Sequence, residues 1–189
     1  IRASIVVDAT GDGDIAFRAG ENYSIGDEQM HRVSPSSAMF EMANVDTDAV
    51  FSYIKNNISD FEFYTDCVPM REFSRRFDQH FFVAQGFKSL VKKAVENRDL
   101  LFGRDSILLL NGIHPGTVHF NSTRICGGDS LSPEGLTKQE IDGRNQIDSV
   151  SEFMIKYVPG FENAFVSVTN ASIGVRESRH IEGCYTLTG

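Results

Sequence analysis

Residues 5–14, with the sequence IVVDATGDGD, are the point where an apolar run gives way to a glycine-rich turn. The stretch opens with the β-branched run Ile5, Val6 and Val7, which is bounded by a turn and is typical of a buried strand. Gly11 and Gly13 follow, and glycine permits positive φ angles and a close backbone approach. We therefore predict a buried strand that ends in a glycine turn.

A short helix is predicted directly after this turn, over residues 14–19. Asp12 or Asp14 can cap its N-terminus, and Gly20 is suited to end it. The first backbone amides of such a helix could hold an anion or a ribose hydroxyl.

The composition limits the classes of partner. The chain has 189 residues, of which 41% are hydrophobic, and a formal net charge of −8. An acidic chain lacks the basic face that binds nucleic acid or an anionic membrane surface. No apolar run approaches the roughly 20 residues needed to span a bilayer. We therefore expect small molecules or proteins as partners, with no nucleic acid and no membrane span.

The cysteines and histidines do not indicate a metal site. Cys67, Cys126 and Cys184 are far apart without CxxC spacing, and we interpret them as buried free thiols of a cytoplasmic protein. The five histidines show neither HxH nor HExxH spacing. Asp8, Asp12 and Asp14 do not follow the order of an EF-hand loop, and helix capping explains them as well.

Hydrophobic periodicity predicts an α+β fold, with a mixed, largely antiparallel sheet and packed helices. The segment from Tyr23 to Val33 is polar and is predicted to be a loop. A T-x-x-E capping box at Thr137 and Glu140 predicts the start of the longest helix, which should end at Tyr157. The other predicted elements are a strand within 35–45, a helix over 48–55 capped by Asp46 or Thr47, a helix over 87–98, a hairpin of 106–111 with 116–121, and a strand over 165–173.

An aromatic segment at residues 61–82 also contains Arg71, Arg75 and Arg76. Aromatic rings with arginines can line a ligand pocket. Core packing with solvated arginines explains the same residues, and we favour it because nothing in the sequence fixes which arginines point inward.

Two segments together carry a resemblance to a known family. VVDATGDGDIAFRAG at residues 6–20 and IGVRESRHIEG at 173–183, followed by YTLT at 185–188, resemble FAD-dependent oxidoreductases distantly similar to the fumarate reductase and succinate dehydrogenase flavoproteins. The resemblance implies that residues 1–20 form the returning strand, the ATG turn and a short helix of an FAD domain. It implies a substrate or cap domain over residues 21–189 within a single domain of 1–189. It places Thr10, Gly11, Asp12 and Gly13 at the cofactor.

The chain departs from this family in one respect, because it contains no GxGxxG fingerprint for the FAD pyrophosphate. It also begins at Ile1 and not at a methionine. We therefore expect an internal piece of a larger flavoprotein, the substrate-side portion of a two-domain protein. The expected partners are a small-molecule substrate and the remaining FAD domain of the parent. FAD is expected in the parent, whereas the isolated piece is expected to lack it and to be inactive.

Arg176 and Arg179 are three residues apart, with His180 beside them. Arginine binds carboxylates with planar, bidentate geometry, and a cation near a flavin stabilises its anionic reduced form. An ordinary ion pair with Glu177 or Glu182 is the alternative. The resemblance favours substrate or flavin contact for both arginines, and His180 is the candidate proton donor.

The function implied by the resemblance is FAD-dependent oxidation or reduction of a small organic substrate by hydride transfer through the flavin. The competing hypothesis is an acidic, non-enzymatic binding or interaction module, in which the glycine turn is only a turn.

Overall fold

The computed structural model describes residues 2–27, 32–62, 83–100 and 103–185. Its helices are α1 (Asp14–Ala19), α2 (Thr47–Asn56), α3 (Lys88–Glu96) and α4 (Pro133–Tyr157), with a 3₁₀ turn at Ile58–Asp60. Its strands are β1 (Tyr23–Ile25), β2 (Phe40–Ala43), β3 (Val83–Gly86), β4 (Ile107–Asn111), β5 (Val118–Phe120), β6 (Phe165–Thr169) and β7 (Arg179–Ile181). Helices and antiparallel strands together confirm the predicted α+β class.

Five of the described strands form one antiparallel sheet in the order β3-β4-β5-β2-β6. The predicted hairpin is its centre, because β4 pairs with β5 through Leu109 and Phe120. The strand predicted at the start of 165–173 is β6, which pairs with β2. This sheet and its helices are called the core lobe.

The core lies on one face of the sheet. Ala38, Phe40 and Met42 are buried at alternate positions, as the period of two in this segment predicted. The Phe40 and Phe120 rings stack with their centroids 4.6 Å apart. Helix α2 covers the core with Val50 and Ile54, α3 with Val91 and Ala94, and α4 with Ile147, Val150, Phe153 and Met154.

Two of the predicted helices form as expected. Asp46 caps α2 by accepting a hydrogen bond from the Ala49 amide at 3.0 Å. Helix α3 presents the predicted apolar stripe to the core, although Val95 is exposed.

Helix α4 begins earlier than the capping box predicted. The Ser132 hydroxyl accepts a hydrogen bond from the Gly135 amide, and Pro133 starts the helix because its fixed φ suits the first helical position. Thr137 instead donates its hydroxyl to the Pro133 carbonyl, and the Glu140 carboxylate accepts from the Ile173 amide. The predicted end at Tyr157 is confirmed.

The prediction of a loop from Tyr23 to Val33 is wrong for its first residues. β1 pairs antiparallel with β7, with Ser24 opposite His180. A local pattern could not reveal this strand because it is short and its partner lies near the other end of the chain. The two strands, the turn and α1, residues 8–25 and 178–181, are called the turn lobe.

The predicted buried strand at Ile5, Val6 and Val7 is also wrong. The three side chains are exposed, with Ile5 83% accessible, and no described strand pairs with them. A β-branched run becomes a buried strand only when neighbouring strands and a covering layer are present, and the described residues supply neither. The helix predicted over 14–19 does form and ends at Gly20, whose φ is 93°.

Two further groups of predictions meet different outcomes. Cys126 and Cys184 are free thiols but are exposed, so their predicted burial is wrong. Cys67, Arg71, Arg75, Arg76 and most of the aromatic segment lie outside the described residues, as does Thr186.

In the described ranges, no helix has the length and apolar character needed to cross a membrane.

Candidate functional site

The glycine turn is organised by Asp8. Its carboxylate accepts hydrogen bonds from the amides of Ile15 and Ala16 at 3.0 and 2.9 Å, and from the Thr10 amide and hydroxyl. The Thr10 hydroxyl in turn accepts from the Asp14 amide at 2.8 Å. These hydrogen bonds, the one from the Ala16 amide first, lower the pKa of Asp8 from 3.8 to about 2.

This network corrects two predictions about the turn. The helix is preceded by Gly13 in the left-handed conformation, with φ at 62°, and neither Asp12 nor Asp14 caps it. The amides that were predicted to hold an anion are already bonded to Asp8 and Thr10. A phosphate on these amides would have to displace the Asp8 carboxylate.

The outer side of the turn is open. A Cβ built on Gly11 meets no atom within 4 Å, and Thr10 and Gly11 are both exposed. A bound group can therefore lie against the exposed backbone of the turn. A pyrophosphate cannot bind the helix amides in the same state, because these amides already donate to Asp8.

Arg179 lies on the inner side of this turn. Its Nη1 donates to the Asp12 carbonyl at 2.9 Å and to the Asp14 carboxylate at 2.8 Å. Its guanidinium carbon is 4.2 Å from the centroid of the Phe17 ring, a cation–π contact. The Tyr23 ring centroid lies 5.7 Å from the same carbon, and the side chain is 10% exposed, so Arg179 is largely buried among residues of its own chain.

The two segments that carry the family resemblance are thus in direct contact. Ser178 donates its hydroxyl to the Asp12 carboxylate at 2.5 Å. A Cβ on Gly13 would approach the Ile181 side chain to 2.8 Å, and the φ of 62° at this position also favours glycine. Of the seven predicted site residues, the structure brings Asp12, Gly13 and Arg179 together and leaves Thr10 and Gly11 on the outer surface.

His180 points away from this contact. Its Nε2 lies 2.7 Å from the Glu177 carboxylate, and the ring is 55% exposed. Glu177 also accepts a hydrogen bond from the Ser34 amide. The Ser34 amide first, and then His180, lower the pKa of Glu177 from 4.5 to about 2.

Arg176 lies at a separate cleft of about 660 Å³. The cleft runs along the outer face of the five-stranded sheet, where Gln85, Leu108 and Asn121 form its floor. Two further arginines that the sequence did not single out line it. We call this feature the arginine cleft, after its lining residues Arg104, Arg124 and Arg176.

A signal for the two missed arginines does exist in the sequence. Arg104 precedes β4 and Arg124 follows β5. In an antiparallel hairpin, the start of the first strand lies beside the end of the second, at the end opposite the connecting loop. The predicted hairpin therefore places Arg104 and Arg124 close together at that end.

A second polar group that the sequence did not predict lies further along the same sheet face. His119 and Glu41 are directly opposed on β5 and β2, with 3.1 Å between Nε2 and the carboxylate. Ser167 on β6 donates to Glu41 at 2.9 Å. Within the described ranges, no group of three or more His, Cys, Asp or Glu side chains could hold a metal ion.

The fold and the site together define an α+β protein with a ligand-sized cleft and, apart from it, a glycine turn held by Ser178 and Arg179. The sequence pattern of the FAD dependent oxidoreductase family matches residues 1–189, and the chain therefore belongs to this family. No curated protein and no solved structure matches the chain.

Proposed function

We propose that this chain acts in an enzyme that oxidises or reduces a small organic substrate with FAD. The observation that carries the proposal is the direct contact of Arg179 and Ser178 with Asp12, because it unites the two segments of the family resemblance. The match of the family pattern over residues 1–189 supports the same reaction class.

Thr10 and Gly11 would hold the cofactor through the open backbone of the turn, and Asp12 and Gly13 would fix the shape of that backbone from behind. The bound flavin would supply hydride transfer to or from the substrate. The chain itself would contribute position and charge. Arg179 acts as a positioning residue, since its donors contact Asp12 and Asp14.

Arg176 is the residue we assign to the substrate. It is exposed at the arginine cleft, where a guanidinium can bind an anionic group. His180 would donate or accept a proton near the turn lobe, and Glu177 would hold its ring in orientation. A cytoplasmic location remains a prediction.

We further propose that the isolated 189-residue chain turns over no substrate. The Asp8 carboxylate occupies the helix amides of the turn, so these amides offer no phosphate cradle. Hydride transfer needs a firmly bound flavin, and the glycine turn alone would contact only one side of it. Flavin-dependent turnover by this chain alone would contradict this statement.

The test is the visible absorption spectrum of the purified product of the complete gene. We expect a flavin spectrum, which Gly11→Val should weaken because its side chain would fill the open side of the turn without meeting the chain. Gly103→Val is the matched control, since a Cβ at Gly103 also meets no atom within 4 Å. A colourless protein that gains no flavin on reconstitution would reject the oxidoreductase and favour the acidic, non-enzymatic module.

A further inference from the structure

Strand β6 forms one edge of the five-stranded sheet. Among the described strands, only β2 pairs with it, so no described strand bonds to the backbone groups along its other side. The opposite edge, β3, differs because Glu62 forms an isolated bridge with Gln85 there. An uncovered edge can pair with another chain through the same hydrogen bonds that hold a sheet together.

The side chains of β6 favour such a pairing. Phe165 and Val168 are 57% and 58% exposed, although both are large apolar residues. The strand has the sequence FVSVT and contains neither proline nor a charged side chain, the features with which edge strands usually resist pairing. Because the whole chain carries a net charge of −8, the uncharged β6 is a surface on which two copies can approach without direct repulsion.

The position of β6 relative to the turn lobe favours a second copy as its partner. The chain reaches the sheet from the turn lobe at Ser37 and leaves it again at Gly174, and these two residues exchange backbone hydrogen bonds at 3.1 and 2.8 Å. Phe165 lies at the other end of β6. A domain that packs on the turn lobe would therefore approach the Gly174 end of the sheet and not the Phe165 end.

Helix α4 lies beside β6 and runs antiparallel to it. Arg144 donates from Nη1 to the Thr169 hydroxyl at 2.9 Å. Glu140, about one turn earlier on the helix, accepts from the Ile173 amide, which comes later along the chain than Thr169. The side of α4 that carries Arg144 is therefore next to the edge strand.

The exposed residues on this side of α4 are arranged symmetrically about Asp148. Ile141 and Ile155 are both exposed, and each is seven residues, about two helical turns, from Asp148. Arg144 and Glu152 are each four residues from it and carry opposite charges. In an antiparallel pair of α4 helices centred on Asp148, Ile141 of each copy faces Ile155 of the other. Arg144 of each copy likewise faces Glu152 of the other.

The same axis of symmetry fits β6. Ser167 is the middle residue of the strand and lies two residues, about 7 Å, before Thr169. Asp148 lies four residues, about 6 Å, beyond Arg144 in the same direction, because the two elements run antiparallel. Since Arg144 and Thr169 are bonded, a single two-fold axis can pass close to both Ser167 and Asp148. Pairing of one surface with itself about a two-fold axis is the arrangement of an isologous dimer.

We propose that two copies of this chain form a two-fold symmetric dimer through β6, in which the antiparallel strands join the two sheets and the α4 helices pack side by side. The inference goes beyond the proposed function and does not depend on it, because none of these residues belongs to the turn lobe or lines the arginine cleft. The contact has one unfavourable element, since the two Asp148 carboxylates meet at the axis and like charges repel.

The test is sedimentation equilibrium of the purified product of the complete gene, for which we expect a monomer–dimer equilibrium. Val168→Lys should raise the dissociation constant at least about tenfold, because lysine on an edge strand opposes pairing. Asp148→Asn should lower it about threefold, because it removes the repulsion at the axis. Val95→Lys on α3 is the matched control and should leave it unchanged, since Val95 is also an exposed valine but lies outside the contact.

Three results would overturn the proposal. The complete product could remain monomeric up to about 100 μM, Val168→Lys could dimerise as tightly as the original protein, or Asp148→Asn could dimerise no more tightly. Circular dichroism spectra separate a lost contact from a lost fold, and if Val168→Lys is misfolded, Asp148→Asn decides alone. The visible spectrum is an independent measurement, so a monomeric flavoprotein would reject the dimer and leave the oxidoreductase proposal standing.

Discussion

The core lobe and the turn lobe are stabilised by different interactions. The core lobe buries apolar side chains, with Met42, Leu109, Phe120 and Phe153 fully inaccessible to solvent. None of the six described residues of α1 is buried, and the turn lobe is held by charged and polar contacts to Asp8 and Arg179. The core lobe therefore has the parts of an independent folding unit, whereas the turn lobe depends on a few specific hydrogen bonds.

The largest expected effect is in the core lobe. Phe120→Ala removes a fully buried ring that stacks on Phe40 and contacts Phe161 edge-on. We expect the free energy of unfolding to fall by about 3–5 kcal/mol in urea denaturation, because the substitution leaves a cavity in a close-packed core. A loss below about 1 kcal/mol would contradict the assignment of this ring to the core.

The next effect should be confined to the turn lobe. Arg179→Met keeps the apolar stem and removes the hydrogen bonds to Asp12 and Asp14. We expect the amides of α1 to lose about 1–3 kcal/mol of protection in hydrogen exchange, the range for a hydrogen bond to a charged group. The amides of β4 and β5 serve as the internal control. Equal loss in both lobes would show that the two lobes unfold as one unit.

A smaller effect should depend on pH. The folded pKa of Asp8 is lowered to about 2 from its ordinary 3.8. The carboxylate therefore stabilises the turn fully above the ordinary pKa, and this stabilisation is lost as the pH falls toward about 2. Exchange of the Ile15 and Ala16 amides should accelerate over this interval, beyond the intrinsic pH dependence of exchange.

The variant Asp8→Asn is the control for this titration. Its α1 amides should exchange faster at neutral pH and show no further acceleration between pH 3.8 and about 2. An unchanged acid transition in the variant would assign it to another carboxylate, such as Glu177, whose pKa is also about 2.

The smallest effect is expected at the exposed run before the turn. Ile5→Ser should change the free energy of unfolding by no more than about 0.5 kcal/mol, because the side chain is 83% exposed. Met42→Ser in the core lobe is the contrasting substitution and should be strongly destabilising. A large effect at Ile5 would mean that this side chain is covered in solution.

Much of the core lobe could be predicted because burial repeats regularly along it. The alternation through Phe40 and Met42, and the helical spacing of Val91 and Ala94, each identify a buried face. The start of α4 was predicted too late because Ser132 and Thr137 can both cap a helix, and the local signal for the earlier start is Pro133 directly after Ser132. β1 has only three residues, which are too few to show a periodicity, and it forms by pairing with β7.

The candidate site was predicted in part. The resemblance named Thr10 to Gly13 and Arg176 to His180, but only the structure shows that Arg179 contacts the turn while Arg176 lies at the cleft. Arg104 and Arg124 lie outside both motifs and have no repeating pattern. Their joint position follows from the pairing of β4 with β5, so the predicted hairpin is the sequence signal that could have found them.

The contact between Arg179 and Asp12 spans 167 positions of the chain. At a synthesis rate of 5–20 residues per second, Arg179 is synthesised about 10 to 30 s after Asp12. The core lobe can begin to form in that interval from hairpins and helices that are local in sequence. The hydrogen bonds within the glycine turn can form early because they are local, whereas its contact with Arg179 can form only after the segment through Ile181 has been synthesised.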